Sequence, residues 1–106
     1  MEYGMDWDDL RFFTAVYRGG SLSAAARALG VSVQTVGRRI AALEAATGAA
    51  LFVRHAHGYV PTEGARALMS EAAQVEEAMA RFRSAAGRHG AEMDGTVRLA
   101  APETIA

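Results

Sequence analysis

Glycine divides the first half of this chain. Gly19-Gly20, Gly30 and Gly48 each follow an apolar run with helical spacing, and Asp6, Ser21 and Ser32 each stand just before one. Glycine stops helices because it enters the left-handed region without strain; Asp and Ser start them by accepting a free backbone N–H. The spacing predicts three short helices. Leu10, Phe13, Val16 and Tyr17 form the buried stripe of the first, with Asp8 and Asp9 in its opening turn, where carboxylates favour the helix dipole. Ala25, Ala26 and Leu29 form the inner face of the second. Val36, Ile40 and Leu43 form that of the third.

Beyond Gly48 the period changes. Leu51-Phe52-Val53 and Tyr59-Val60 read as two short strands around the turn Ala56-His57-Gly58. Pro61-Thr62-Glu63 opens a fourth helix, with Thr62 as its cap. Residues 62–86 then form one helix, about 37 Å long at 1.5 Å per residue. Gly87 to Gly95 reads as a linker, and the residues from Gly95 to Pro102 as a strand with nothing to pair it, just inside a second domain. Ala65, Leu68, Ala72, Val75, Met79, Phe82 and Ala86 alternate at three and four along the fourth helix. That is an a/d seam, too long for one small domain to cover. Leu68, Ala72, Val75, Met79 and Phe82 are its candidate dimerisation residues.

The stretch Ser21 to Leu43 is the most informative. Two short helices are joined by Gly30-Val31-Ser32, Ala26 allows close approach, and Val36 locks the second helix on the first. This is the pattern of a helix-turn-helix, against the alternative of a helical hairpin in an arbitrary bundle. With Val36, Ile40 and Leu43 inward, Gln34, Gly37, Arg38 and Ala41 share the outward face. Glutamine can read an adenine edge and arginine a guanine edge; the small residues would let the helix sit deep in a groove. The alternative is a solvated polar face.

A net charge of −1 does not mark a nucleic-acid binder, but the charge is uneven. Glu2, Asp6, Asp8 and Asp9 gather in the first ten residues. Arg38, Arg39, Arg54 and Arg66 face only Glu44 and Glu63 between residues 38 and 66. Every basic group other than histidine is arginine, which suits bidentate contacts to phosphate and guanine and which a GC-rich genome also produces. The chain has no cysteine, so a disulfide scaffold and a thiolate zinc site are excluded. His55-Ala-His57 has no third ligand, so no metal is expected. No nucleophile–base pair, phosphate-cradling loop or carboxylate dyad occurs, so neither catalytic residues nor a cofactor are expected. No secretory signal is read at the N-terminus. The most apolar region, Ala41 to Val53, is shorter than a membrane span needs, so a cytoplasmic protein is expected.

Asp9-Leu-Arg-x-Phe13, Gly20-Ser-Leu-Ser-Ala-Ala-Ala26, Leu29-Gly-Val-Ser32, Val36-x-Arg-Arg-Ile40, Leu43-Glu44, Gly48-x-x-Leu-Phe-x-Arg54 and Pro61-Thr-Glu-Gly64 together resemble the LysR-type transcriptional regulators. The resemblance runs from about Asp6 to Leu99. It implies a mainly α fold: a winged helix-turn-helix of three helices and a two-stranded wing over residues 1–61, a linker and dimerisation helix over 62–89, and the hinge and first strand of an effector domain over 90–106. It implies double-stranded DNA as partner, a homodimer, a tetramer as a further option in the full-length protein, and a small-molecule effector bound only through a C-terminal domain. The antiparallel partner of the fourth helix would be the same helix of a second subunit. Arg38 and the first turn of the third helix (Ser32, Val33, Gln34, Thr35) would enter the major groove, with Gly37 and Arg39 beside them. Ser21, Ser23 and Thr62 would meet phosphate, and Arg54, His55 and His57 would form the wing. Many family members have glutamine where this chain has Val33, proline or serine at Gln34, and serine at Gly37. A winged-helix module that binds protein instead of DNA is the competing reading.

Overall fold

The computed structural model describes residues 5–93. Its elements follow in the order α1 (Trp7–Gly19), α2 (Leu22–Leu29), α3 (Val33–Thr47), β1 (Phe52–His55), β2 (Gly58–Pro61) and α4 (Glu63–Met93). The described residues up to Ala72 form one compact unit, and α4 beyond Ala72 belongs to a second.

The expected caps are in place. Asp6 accepts from the N–H groups of Asp8 and Asp9, while the Asp9 carboxylate accepts from the Asp6 N–H, which closes a capping box. Ser21 accepts from the Ala24 N–H at 3.0 Å and Ser32 from the Thr35 N–H at 3.1 Å. Gly20, Gly30 and Gly48 end the three helices at φ of 79°, 72° and 76°.

The core joins α1, α2, α3, the wing and the start of α4 through Phe12, Phe13, Val16, Ala25, Ala26, Val36, Ile40, Leu43, Leu51, Phe52, Ala65 and Ala72. Val16, Val36 and Leu51 are its largest fully enclosed side chains, each contributing ~1.5–3 kcal/mol by leaving water. Phe13 stacks at a tilt on both Tyr17 and Phe52. In α1 the buried set is Phe12, Phe13, Thr14 and Val16, with Leu10 and Tyr17 half-buried.

The wing is an antiparallel hairpin in the register Phe52↔Pro61, Val53↔Val60, Arg54↔Tyr59 and His55↔Gly58. β1 begins one residue later than the sequence pattern suggests and runs on to His55, while β2 extends one residue each way, taking in Gly58 and Pro61. Leu51 precedes β1 as a core residue, and Ala56-His57 make the turn. Helix α4 also differs from expectation. It passes Gly87 and continues to Met93, so residues 90–93, expected in the hinge, are helical. Glycine in a helix costs ~1 kcal/mol but does not remove a backbone hydrogen bond, so neither Gly87 nor Gly90 stops propagation. The expected strand from Gly95 lies outside the described residues.

Candidate nucleic-acid interface

Helix α3 owes its orientation to the burial of Val36, Ile40 and Leu43. Their burial turns Gln34, Arg38 and Ala41 outward, and all three are exposed. Arg38 makes no ion pair or hydrogen bond among the described residues. Val33, at the first position of α3, is 40% exposed although apolar. Ser32 donates to the Thr35 hydroxyl at 2.9 Å, which leaves the Thr35 proton available. Gly37 is not a fully outward residue. It is half-buried, and a Cβ there would lie 3.6 Å from Leu22 Cδ1, so this position looks toward α2.

Arg39 departs from expectation more sharply. Its guanidinium lies 3.2 Å from the Asp9 carboxylate and 3.7 Å from that of Asp6, and 4.7 Å from the centre of the Phe12 ring. It ties α3 to the start of α1 instead of joining Arg38, because one residue along a helix is a turn of 100°. The acidic N-terminal residues thus have structural work: Asp6 caps, Asp9 holds Arg39, and Asp8 pairs with Arg11 at 2.7 Å.

The wing is pinned by three sets of bonds, to the turn before α2, to α3 and to the start of α4. The Tyr59 N–H donates to the Gly20 carbonyl at 2.9 Å. Gly58 at φ 142° makes this approach possible, since a Cβ there would overlap the Gly20 oxygen. The Glu44 carboxylate accepts from the N–H of Leu51 at 2.8 Å and of Phe52 at 3.3 Å. The Thr62 hydroxyl donates to the Ala50 carbonyl at 2.8 Å and accepts from the Ala65 N–H at 3.1 Å. Thr62 is therefore a joint between the wing and α4, and its single proton is already committed. The expected phosphate role does not fit it.

These pins create an open concavity of about 280 Å³ lined by Ser21, Leu22, Ser23, Val33, Arg54, His55, Ala56, Gly58 and Tyr59. Five of the expected contact residues, from three separate elements, meet there: Ser21, Ser23, Val33, Arg54 and His55. Gln34, Arg38 and His57 are exposed but do not line it. Arg54 donates to the Tyr59 hydroxyl at 3.1 Å, with its guanidinium 5.5 Å from that ring's centre, so its charge is held on the wing. No carboxylate lines the concavity. The sequence has none between residues 10 and 43, Glu44 is engaged with backbone N–H groups, and the next is Glu63. The charge balance of the whole chain hides a stretch of more than fifty residues with six arginines and one acid.

On α4, Phe82 is 69% exposed and Leu68 39% exposed; Val75 and Met79 are half-buried. Ala72 is a correction to the dimerisation set. It is buried in the core of the first unit together with Ala65, because the first turns of α4 serve that core. No helix among the described residues is long and apolar enough to cross a membrane, and no group of three metal-ligating side chains converges among them.

A helix-turn-helix with an outward arginine, joined to a wing whose arginine and histidine flank helix N-terminal serines, defines a winged helix-turn-helix DNA-binding domain. The model of the bacterial regulatory helix-turn-helix protein, lysR family, matches residues 7–66, and the chain belongs to that family. This is a family of regulators and not of enzymes. The chain is 42% identical over 74 residues to the Mau operon transcriptional activator of Paracoccus denitrificans, covering 70% of this chain and 26% of that protein. It is 37% identical over 97 residues to the probable hydrogen peroxide-inducible genes activator of Mycobacterium leprae (strain TN), covering 92% and 31%. Its structure is similar to the CbnR DBD in a crystal structure of its DNA complex, with a TM-score of 0.73 and 30% identity over 81% of this chain and 99% of that one. The chain thus spans between a quarter and a third of the length of these curated relatives.

Proposed function

We propose that this chain reads operator DNA as a homodimer within a cytoplasmic transcription regulator. Helix α3 lies in the major groove with Gln34 and Arg38 toward base edges, and Val33 and Thr35 at the groove wall. Ser21, Ser23 and Ser32 at the helix N-termini and Arg54, His55 and His57 on the wing meet the flanking phosphates. The observation that carries this reading is the acid-free concavity between α2, α3 and the wing, together with an Arg38 that has no ion pair or hydrogen bond among the described residues. Phosphate contacts fix register and base contacts specify sequence, and the two sets of residues here lie on adjoining surfaces.

The proposed organisation is a winged domain over residues 1–61 and a dimerising helix from residue 62, ending near Met93 rather than at 89. Leu68, Val75, Met79 and Phe82 supply the seam toward the second copy. A C-terminal effector domain, with its small-molecule ligand and any tetramer, belongs to the longer protein that the relatives suggest. Footprinting on DNA selected from a random pool tests the reading. A twofold dimer protects two half-sites in successive major grooves, about 10 bp or a multiple apart. A single unpaired footprint contradicts it.

A further inference from the structure

The wing carries a feature that major-groove reading does not use. His55 and His57 bracket the turn residue Ala56, and both are exposed. Neither has an ion pair or hydrogen bond among the described residues. At neutral charge on the imidazoles, Arg54 is the only cation of the hairpin. Histidine is the side chain type that switches charge near neutral pH, and each imidazole that takes up a proton adds a positive charge beside Arg54.

The groups around the turn are all of a kind that leaves this charge uncompensated. On the hairpin itself stand Arg54 and the Tyr59 hydroxyl, bonded to each other at 3.1 Å. From α2 come Ser21, Leu22 and Ser23, and from α3 comes Val33. The Gly20 carbonyl faces the wing but already accepts from the Tyr59 N–H. Glu44, at the base of the hairpin, is held on the N–H groups of Leu51 and Phe52. Glu63 lies beyond the end of β2, where α4 begins. Among the described residues no acid lines the site beside the turn, so a proton-induced charge there is open to an external anion.

We infer that the wing turn is a phosphate site whose strength is set by protons on His55 and His57, so that DNA binding by this chain is coupled to pH. The inference rests on the DNA-binding reading above. Phosphate stabilises the charged imidazole, so the bound state takes up protons. Affinity is then expected to be greater at low pH and to fall as pH rises. Each added phosphate contact releases counterions and steepens the dependence of log K on log salt by ~0.9. Two protonated histidines steepen the slope by up to ~2.

The test uses the full chain and a 24-bp duplex of random sequence, so no operator need be known. Binding is titrated by fluorescence anisotropy at several KCl concentrations, at pH 6.0 and pH 8.0. The parent slope is expected to be steeper at pH 6.0 by one to two. The double variant His55→Gln/His57→Gln is expected to keep the shallow slope at both pH values. The double variant His55→Lys/His57→Lys is expected to show the steep slope at both. A parent slope that does not change with pH, or a Gln variant that keeps the full change, overturns the inference while leaving DNA binding intact. Absence of binding to the duplex at either pH and at low salt overturns both readings.

Discussion

The most demanding consequence of the structure concerns Glu44. Its carboxylate accepts two backbone N–H groups at 2.8 and 3.3 Å, from Leu51 and Phe52, which are 1% and 7% exposed. Hydrogen bonds to a charged group contribute ~1.5–3 kcal/mol each, and a buried donor left without a partner costs ~1–3 kcal/mol. The second bond is long and the carboxylate is half-exposed, so both contributions fall at the low end. Glu44→Ala is therefore expected to cost ~3 kcal/mol. Glu44→Gln keeps an oxygen on the same arm and loses only the charge, so it should cost ~1 kcal/mol. Urea titrations at one protomer concentration give both values, since dimerisation would otherwise shift the midpoint. The Leu51 and Phe52 amides should also exchange faster in the alanine variant. If the alanine variant loses less than ~1 kcal/mol, or glutamine costs as much as alanine, the carboxylate is not what holds the wing to α3.

Two further changes bear on other parts of the account. Gly37→Ala should raise stability by ~1 kcal/mol, because helix interiors favour alanine over glycine by that amount and the new Cβ would meet only Leu22 Cδ1 at an ordinary 3.6 Å. A fall in the thermal midpoint of this variant would mean that α3 packs more closely on α2 than described. Phe82→Glu should convert a dimer to a monomer at micromolar concentration, because Phe82 is a large aromatic left 69% exposed among the described residues. Sedimentation that shows a monomeric parent, or an unshifted variant, removes the seam.

The features legible in the sequence were the local ones. Caps and glycine stops act within four residues of themselves, so Asp6, Ser21, Ser32, Thr62, Gly20, Gly30 and Gly48 could be assigned from type and position. The inward row Val36, Ile40 and Leu43 followed from helical period alone, and it fixed Gln34 and Arg38 on the opposite side. What escaped the sequence depends on distant partners. Arg39 meets Asp9 thirty positions away, and nothing in the local pattern separates it from Arg38. Glu44 and Thr62 engage backbone groups across a chain reversal, which leaves no trace in side-chain type. Ala72 belongs to the seam by spacing, yet the core of the first unit takes it, because α4 serves two surfaces in turn. Gly87 looked like a stop because glycine usually marks one; in an exposed helix its cost is small.

The central claim is that α3 and the wing touch DNA for different purposes, and one comparison tests it directly. Arg38→Ala and Arg54→Ala are each titrated against the selected operator and against random duplex, over a range of salt. Arg38 stands on the outward face of α3, so its loss should cost ~1–3 kcal/mol on the operator and much less on random DNA. Arg54 is held on the wing by Tyr59, so its loss should weaken both about equally and reduce the salt slope by about one. The ratio of specific to non-specific affinity must therefore fall in the first variant and hold in the second. Equal ratios in the two variants would contradict the placement of α3 as the reading helix, and unchanged binding in both would contradict the assigned DNA surface altogether.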